Sequence, residues 1–225
     1  MLAAVIFDFD GIIVDTEPLH YKAFQDVLVP LGLGYSWEEY VSSYIGYDDR
    51  DAIRAAFRSG NRALDDRRLR DLIEAKGKAF RKTVEIGMEP FPGAVPLIRS
   101  ISGTLPLALC SGALPSDIMP ILKQFGIDQA FDVIVTAADV PASKPDPESY
   151  SLAVSRLQGV FPDRDIPSVR CLAIEDTPAG IASAVGAGLK VLAVTNSYPE
   201  EHLDGASKVV QSLVGIDLDS LRLLI

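Results

Sequence analysis

Two carboxylates, Asp8 and Asp10, close an apolar run near the start of the chain, in Phe7-Asp8-Phe9-Asp10-Gly11. An extended strand turns alternate side chains to one face, so the two acids point the same way. An unpaired buried carboxylate is costly, and the pair therefore needs water, a cation or a donor beside it. A local reading accounts for Asp10 alone: a β-hairpin, VIFDF-DG-IIVD, with Asp10-Gly11 as its turn. Other residues able to do chemistry lie far along the chain. Ser111-Gly112 follows LALC, Ser143-Lys144-Pro145-Asp146 follows FDVIVT, and Glu175-Asp176-Thr177 follows CLAI. Each has an ordinary structural use, as a helix cap for Ser111 or Asp176 and as a solvated cation for Lys144. Taken together they form a coherent set. Several carboxylates with a serine and a lysine, and no His or Cys among them, suit a hard cation such as Mg²⁺. A carboxylate can attack phosphorus and split a difficult displacement into two easier ones. A cation and a lysine offset its repulsion of the phosphoryl oxygens. A second carboxylate can protonate the leaving oxygen and later activate water.

These residues need a scaffold that gathers them. From about residue 90 onward, short apolar runs alternate with helical segments. The runs are LPLALC (105–110), FDVIVT (131–136), VRCLAI (169–174), LKVLAV (189–194) and KVV (208–210), and AAVIF (3–7) adds another buried strand. PSDIMPILKQFG, PESYSLAVSRLQ and TPAGIASAVGAG lie between them with helical spacing. Pro147 and Pro178 follow the caps Asp146 and Thr177, a common way to start a helix. The alternation predicts an α/β fold of right-handed βαβ units on a parallel sheet. Such sheets place ligands beyond the carboxyl ends of their strands, where every polar cluster above falls.

Residues 18–84 differ in kind. They hold no convincing strand and read as helices. Pro18 opens one, Ser36-Trp37-Glu38-Glu39 is a capping-box pattern, and Asp48 or Asp49 starts a helix that Gly60 ends. Asp65 or Asp66 starts the last. The expectation is a helical domain over 18–84 inserted into a core of 1–17 and 85–225, with hinges at Thr16-Glu17-Pro18 and Met88-Glu89-Pro90. Trp37 and the tyrosines are assigned to the helical domain's core. Residues 48–82 carry 11 basic against 7 acidic side chains, a local +4. The whole chain stands at 21 − 31 = −10, so the remainder carries −14. That acidity argues against nucleic acid or an anionic membrane as partner. No apolar stretch reaches the ~20 residues of a membrane span. The opening MLAAVIFDFD has no basic leader and ends in carboxylates, so the expected location is the cytoplasm. Cys110 and Cys171 sit in strand-like runs and read as buried free thiols, not zinc ligands.

FDFDGIIVDTE, the helical insert, CSGA, SKPDPESY and IEDTPAGIASAVGAG together resemble the haloacid dehalogenase-like superfamily, in the branch of β-phosphoglucomutase and phosphoglycolate-type phosphatases. The likeness spans essentially the whole chain, with four motifs in order. It implies a Rossmann-like parallel-sheet core and a four-helix cap that closes over the site. By the motifs, Asp8 is the nucleophile and Asp10 the general acid/base. Mg²⁺ is held by the Asp8 carboxylate, the Asp10 backbone carbonyl and Asp176, with Glu175 acting through bound water. Ser111, the Gly112 N–H and Lys144 hold the transferring phosphoryl group, and Gly11 lies in a strained turn leading to a hairpin-like flap. The dehalogenases lack an acid at the position of Asp10, so its presence favours phosphoryl chemistry.

His20 matches a cap-helix histidine of the phosphoglucomutases. In Tyr44-Ile45-Gly46-Tyr47-Asp48-Asp49-Arg50, however, Ile45 and Asp49 stand where the mutase pattern has Lys and Arg, and Arg50 comes one position late. Lys76 is a further candidate substrate contact. The resemblance thus implies a Mg²⁺-dependent phosphatase acting on a small phosphorylated metabolite of sugar phosphate or phosphoglycolate type; the sequence leaves the oligomeric state open, with a monomer favoured. Its rivals are a phosphohexomutase and a catalytically silent phosphate-binding regulator. The last has no physical need to keep both Asp8 and Asp10.

Overall fold

The computed structural model describes residues 1–45, 47–84 and 88–225. Gly46 of the loop before Asp48, and residues 85–87 where the core is expected to resume, lie outside the described residues. The chain forms two compact units, Met1–Asp15 with Glu89–Ile225 and Thr16–Met88.

After strand β1 (Ala4–Phe7) the chain enters the helical unit, built from α1 (Glu17–Leu28), α2 (Trp37–Ser43), α3 (Asp49–Ser59) and α4 (Asp66–Val84). Local chemistry starts each helix. Pro18 lies in the first turn of α1, where its missing N–H removes nothing. Ser36 Oγ accepts from the Glu39 N–H at 3.1 Å, Asp48 Oδ1 from the Asp51 N–H at 2.9 Å, and Asp65 Oδ1 from the Arg68 N–H at 2.7 Å. The inward faces bury Phe24, Leu28, Tyr40, Ile53, Phe57 and Leu69. Tyr35 stacks on Tyr44 with ring centroids 4.4 Å apart. Trp37 and Tyr47 depart from the expected core position, being 39% and 43% exposed. Trp37 is the first residue of the short α2 and reaches only the edge of the cluster, T-shaped against Tyr21.

The other unit continues through α5 (Ala94–Ile101), β2 (Leu107–Cys110), α6 (Pro115–Phe125), β3 (Val133–Val135) and α7 (Glu148–Val160). It ends with β4 (Cys171–Glu175), α8 (Pro178–Gly186), β5 (Lys190–Val194), β6 (Lys208–Val210) and α9 (Leu218–Arg222). Among the described residues the strands form a six-stranded sheet in the order β3-β2-β1-β4-β5-β6, every pair parallel. This is the α/β, Rossmann-like arrangement expected. β1, β2 and β4 are buried along their whole length, as continuous apolar runs covered on both faces require. One face packs Ile6, Ala108, Tyr150, Leu157, Ile181 and Val191 into a single core. Thr177 caps α8 by accepting from the Gly180 N–H at 3.0 Å, and Asp146 Oδ1 accepts from the Glu148 N–H at 2.9 Å at the start of α7.

The hairpin reading of residues 5–15 does not survive. Both edges of β1 are taken by parallel neighbours, with Ile6 beside Ala108 on one side and Ala173 on the other, so no antiparallel partner can pair there. The chain turns instead: the Ile13 N–H donates to Phe9 O and the Gly11 N–H to Val14 O, each at 2.9 Å. Val14 then makes single bridges to Asp10 and Pro90. Among the described residues no helix is long and apolar enough to cross a membrane.

Candidate active site

β1 lies between β2 and β4, so the connections beyond its carboxyl end diverge, and α/β sheets hold ligands at such a point. Asp8 follows β1 directly, its N–H still donating to Ile174 O at 2.9 Å. Ser111 follows β2, and its Oγ donates to Asp10 Oδ2 at 3.4 Å while accepting from the Ala113 N–H at 3.0 Å. Gly112 occupies the turn from β2 toward α6. Lys144, from the segment after β3, reaches Asp8 Oδ1 at 2.7 Å and Glu175 Oε1 at 2.6 Å. Glu175 is the last residue of β4 and Asp176 follows it, both fully buried.

Three of these acids converge. Asp8, Glu175 and Asp176 each offer an oxygen, and the three oxygens lie within 4.8 Å of one another. Ionised, they carry −3 against the single ammonium of Lys144, a buried excess of −3 + 1 = −2 that one divalent cation would match. An all-oxygen donor set of this kind fits a hard ion. Gly11 supports the same geometry. With φ at +80° it adopts a conformation that favours glycine, and a Cβ there would stand 1.9 Å from Asp176 Oδ2. The Asn196 side chain holds the turn by donating to Gly11 O at 2.6 Å.

Electrostatics follow from this crowding. Burial, reinforced by the Glu175 carboxylate, holds Asp8 well above the usual carboxylate range, with Lys144 pulling the other way. Burial works against the charge on Lys144, yet Asp8 and Glu175 outweigh it and keep the ammonium above its ordinary value. Glu175 is densely hydrogen-bonded. Oε1 accepts from Lys144 and from the Tyr150 hydroxyl (2.9 Å), and Oε2 accepts from the Asp176 N–H, the Thr177 N–H and Thr177 Oγ1. Those five donors, counted among the described residues, already exceed the roughly four lone-pair sites of a carboxylate. Glu175 thereby anchors Lys144 beside Asp8.

The three candidate contacts from the helical unit are each engaged within it. Lys76 Nζ lies 2.6 Å from Asp49 Oδ1 and 2.5 Å from His20 Nδ1, over the rings of Phe24 and Phe80. His20 stacks on Phe80. Arg50 Nε donates to Asp48 Oδ2 at 2.8 Å. The sequence reading missed the Asp49–Lys76 pair and the part played by Tyr150. Both are contacts across many residues with no local signal, although Tyr150 stands within SKPDPESY.

Residues 5–194 match the family of haloacid dehalogenase-like hydrolases. The chain belongs to that family. This haloacid dehalogenase-like hydrolase is 32% identical over 192 residues to the fructose-1-phosphate phosphatase YqaB of Escherichia coli, covering 85% of this chain and 96% of that protein. Its fold matches CbbY from Rhodobacter sphaeroides, solved in complex with phosphate, at TM-score 0.86 and 27% identity over 98% of this chain and 99% of that one. A CbbY variant in complex with xylulose-(1,5)bisphosphate matches equally, at 0.86 and 26% with the same coverage. β-Phosphoglucomutase from Clostridium difficile shares the fold at TM-score 0.88, covering 100% of this chain and 97% of that one, at 23% identity.

Proposed function

We propose that this hydrolase is a Mg²⁺-dependent phosphatase that releases phosphate from a small phosphorylated metabolite, of sugar phosphate or phosphoglycolate type, through an aspartyl-phosphate on Asp8. The observation that carries the reading is the position of Lys144, bridging Asp8 and Glu175 beside Asp176 at the carboxyl edge of the sheet. The names of the relatives support the substrate class. In this reading residues 1–17 and 85–225 carry the chemistry, and the cap, residues 18–84, carries substrate selectivity.

An Asp8 carboxylate oxygen attacks phosphorus, and the bond from phosphorus to the ester oxygen breaks. Asp10 gives its proton to the leaving oxygen. Asp10 then takes a proton from water, whose oxygen attacks phosphorus and frees Asp8 and inorganic phosphate. Ser111, the Gly112 N–H and Lys144 orient the phosphoryl group, and Lys144 offsets charge that develops on it. Asp8, the Asp10 carbonyl and Asp176 would hold Mg²⁺, which when bound neutralises charge on the nucleophile and the phosphoryl oxygens.

Hydrolysis is favoured over phosphohexose isomerisation by what the helical unit offers. A mutase must retain a bisphosphate, yet Ile45 and Asp49 replace two bases, Asp49 engages Lys76, and Asp48 engages Arg50. The test is a panel of sugar phosphates, including fructose 1-phosphate, together with phosphoglycolate. Purified chain with Mg²⁺ is assayed for free phosphate and for isomer, with Asp8→Asn as control. Free phosphate should dominate, and Asp8→Asn should fall to background with an unchanged circular dichroism spectrum. Predominant isomerisation would overturn the hydrolase reading, and near-normal turnover in Asp8→Asn would remove the nucleophile.

A further inference from the structure

Tyr150 is fully buried in α7, and its hydroxyl reaches the site, donating to Glu175 Oε1 at 2.9 Å. The same oxygen accepts from Lys144 Nζ at 2.6 Å. Lys144 Nζ also lies 3.3 Å from Cys110 O, 3.4 Å from the Tyr150 oxygen, and 5.0 Å from the centre of its ring. Lys144 is thus suspended between two carboxylates, and how strongly each attracts it depends on what else each carboxylate binds. Hydrogen bonds polarise and compete inside a low-dielectric site. With the tyrosine hydroxyl in place, part of the negative charge on Glu175 Oε1 is already satisfied, and Lys144 can extend its second contact to Asp8. Without it, Lys144 would be the sole side-chain donor to that oxygen among the described residues and would be drawn toward Glu175.

We propose that Tyr150 is a positioning residue that, through its hydrogen bond to Glu175, sets the balance of Lys144 between Glu175 and Asp8. The hydroxyl does not touch the reacting atoms. Its effect falls on the contact to the nucleophile, which matters most as charge develops during transfer, so it belongs to kcat more than to KM. A phenylalanine at this position preserves the ring packing in the core and removes only the donor.

This inference rests on the proposed phosphatase reading, and the experiment separates the two. Wild-type chain with Mg²⁺ is first assayed for phosphate release on its best substrate; absence of release defeats the phosphatase reading before any variant is made. In an active enzyme, Tyr150→Phe should lower kcat about tenfold, the scale of losing a hydrogen bond to a charged group, with KM within about twofold. Thermal unfolding should be little changed. Because the effect runs through Glu175, adding Tyr150→Phe to Glu175→Gln should lower kcat by less than twofold further. An unchanged kcat in Tyr150→Phe overturns the proposal. So does a loss of kcat matched by a loss of folded protein, or an effect that multiplies in full in the Glu175→Gln background. Should Tyr150→Phe fail to fold, that too counts as a structural role and overturns it.

Discussion

Replacing Gly11 by alanine tests the close approach between the turn after β1 and Asp176. The added Cβ would stand 1.9 Å from Asp176 Oδ2, 2.6 Å from its Cγ and 2.9 Å from Ser197 Oγ. Real Cβ atoms do not come within 3.0 Å of another heavy atom, so something must move by at least 3.0 − 1.9 = 1.1 Å. Asp176 is fully buried, within the acidic cluster with Asp8 and Glu175. A displacement of about 1 Å at a reacting centre costs roughly 10²-fold in rate. The φ of +80° adds about 1–2 kcal/mol of backbone strain for an L-residue. In a chain of this size that lowers the melting temperature by roughly 2–8 °C. Gly11→Ala should therefore remain folded, lose about 10²-fold in kcat, and need more Mg²⁺ for half-maximal rate. Gly159→Ala is the control, because a Cβ there meets nothing within 4 Å. Steady-state kinetics with a Mg²⁺ titration and a thermal melt read both variants. A Gly11→Ala enzyme within about threefold of wild type would refute the expectation that a Cβ at this turn displaces Asp176 from its working position.

Two other expectations concern stability and reactivity. Lys76→Met removes the ammonium between His20 and Asp49 and strands a buried carboxylate, so urea unfolding should show a loss of about 3–5 kcal/mol. Pairing it with Asp49→Leu should recover most of that loss, and a single variant as stable as wild type would show that the pair does not matter. Burial pushes the Cys110 thiol up to about 11 and the Cys171 thiol up to about 12. Thiolate forms only as pH rises through these values, so a disulfide reagent at pH 8 should modify neither cysteine until the chain is unfolded. Rapid modification of folded protein would contradict their burial.

The sheet was readable because parallel strands covered on both faces are runs of apolar residues, and all six runs became strands. Their edges moved for local reasons. The run 105–110 becomes strand from Leu107; Pro106 has no N–H to give and joins the ladder through its carbonyl, which accepts from the Val5 N–H at 3.1 Å. The run 169–174 begins in a 3₁₀ turn and extends through Glu175. Capping residues were equally legible, since Ser36, Asp48, Asp65 and Thr177 act within three residues of themselves. Asp10-Gly11 fits a hairpin locally because its turn chemistry is identical in both settings; what decides the matter is that β2 and β4, a hundred residues or more away, occupy both edges of β1. For the same reason neither the Tyr150 bond to Glu175 nor the Lys76 pairing with Asp49 could be read locally. Residue types pointed to a carboxylate-rich cluster, while the partition of donors among those carboxylates needed three dimensions.

The bridge between Val14 and Pro90, with the Phe91 N–H donating to Ile13 O at 2.9 Å, fastens the two chain crossings at the root of the helical unit. Everything from Thr16 to Met88 is thereby an excursion whose departure and return are already side by side. Closing a long excursion on a preset stem adds little entropy beyond that of a short one. On such a stem the helices can lengthen or shorten while the strands that lead into Asp8, Ser111 and Asp176 keep their register.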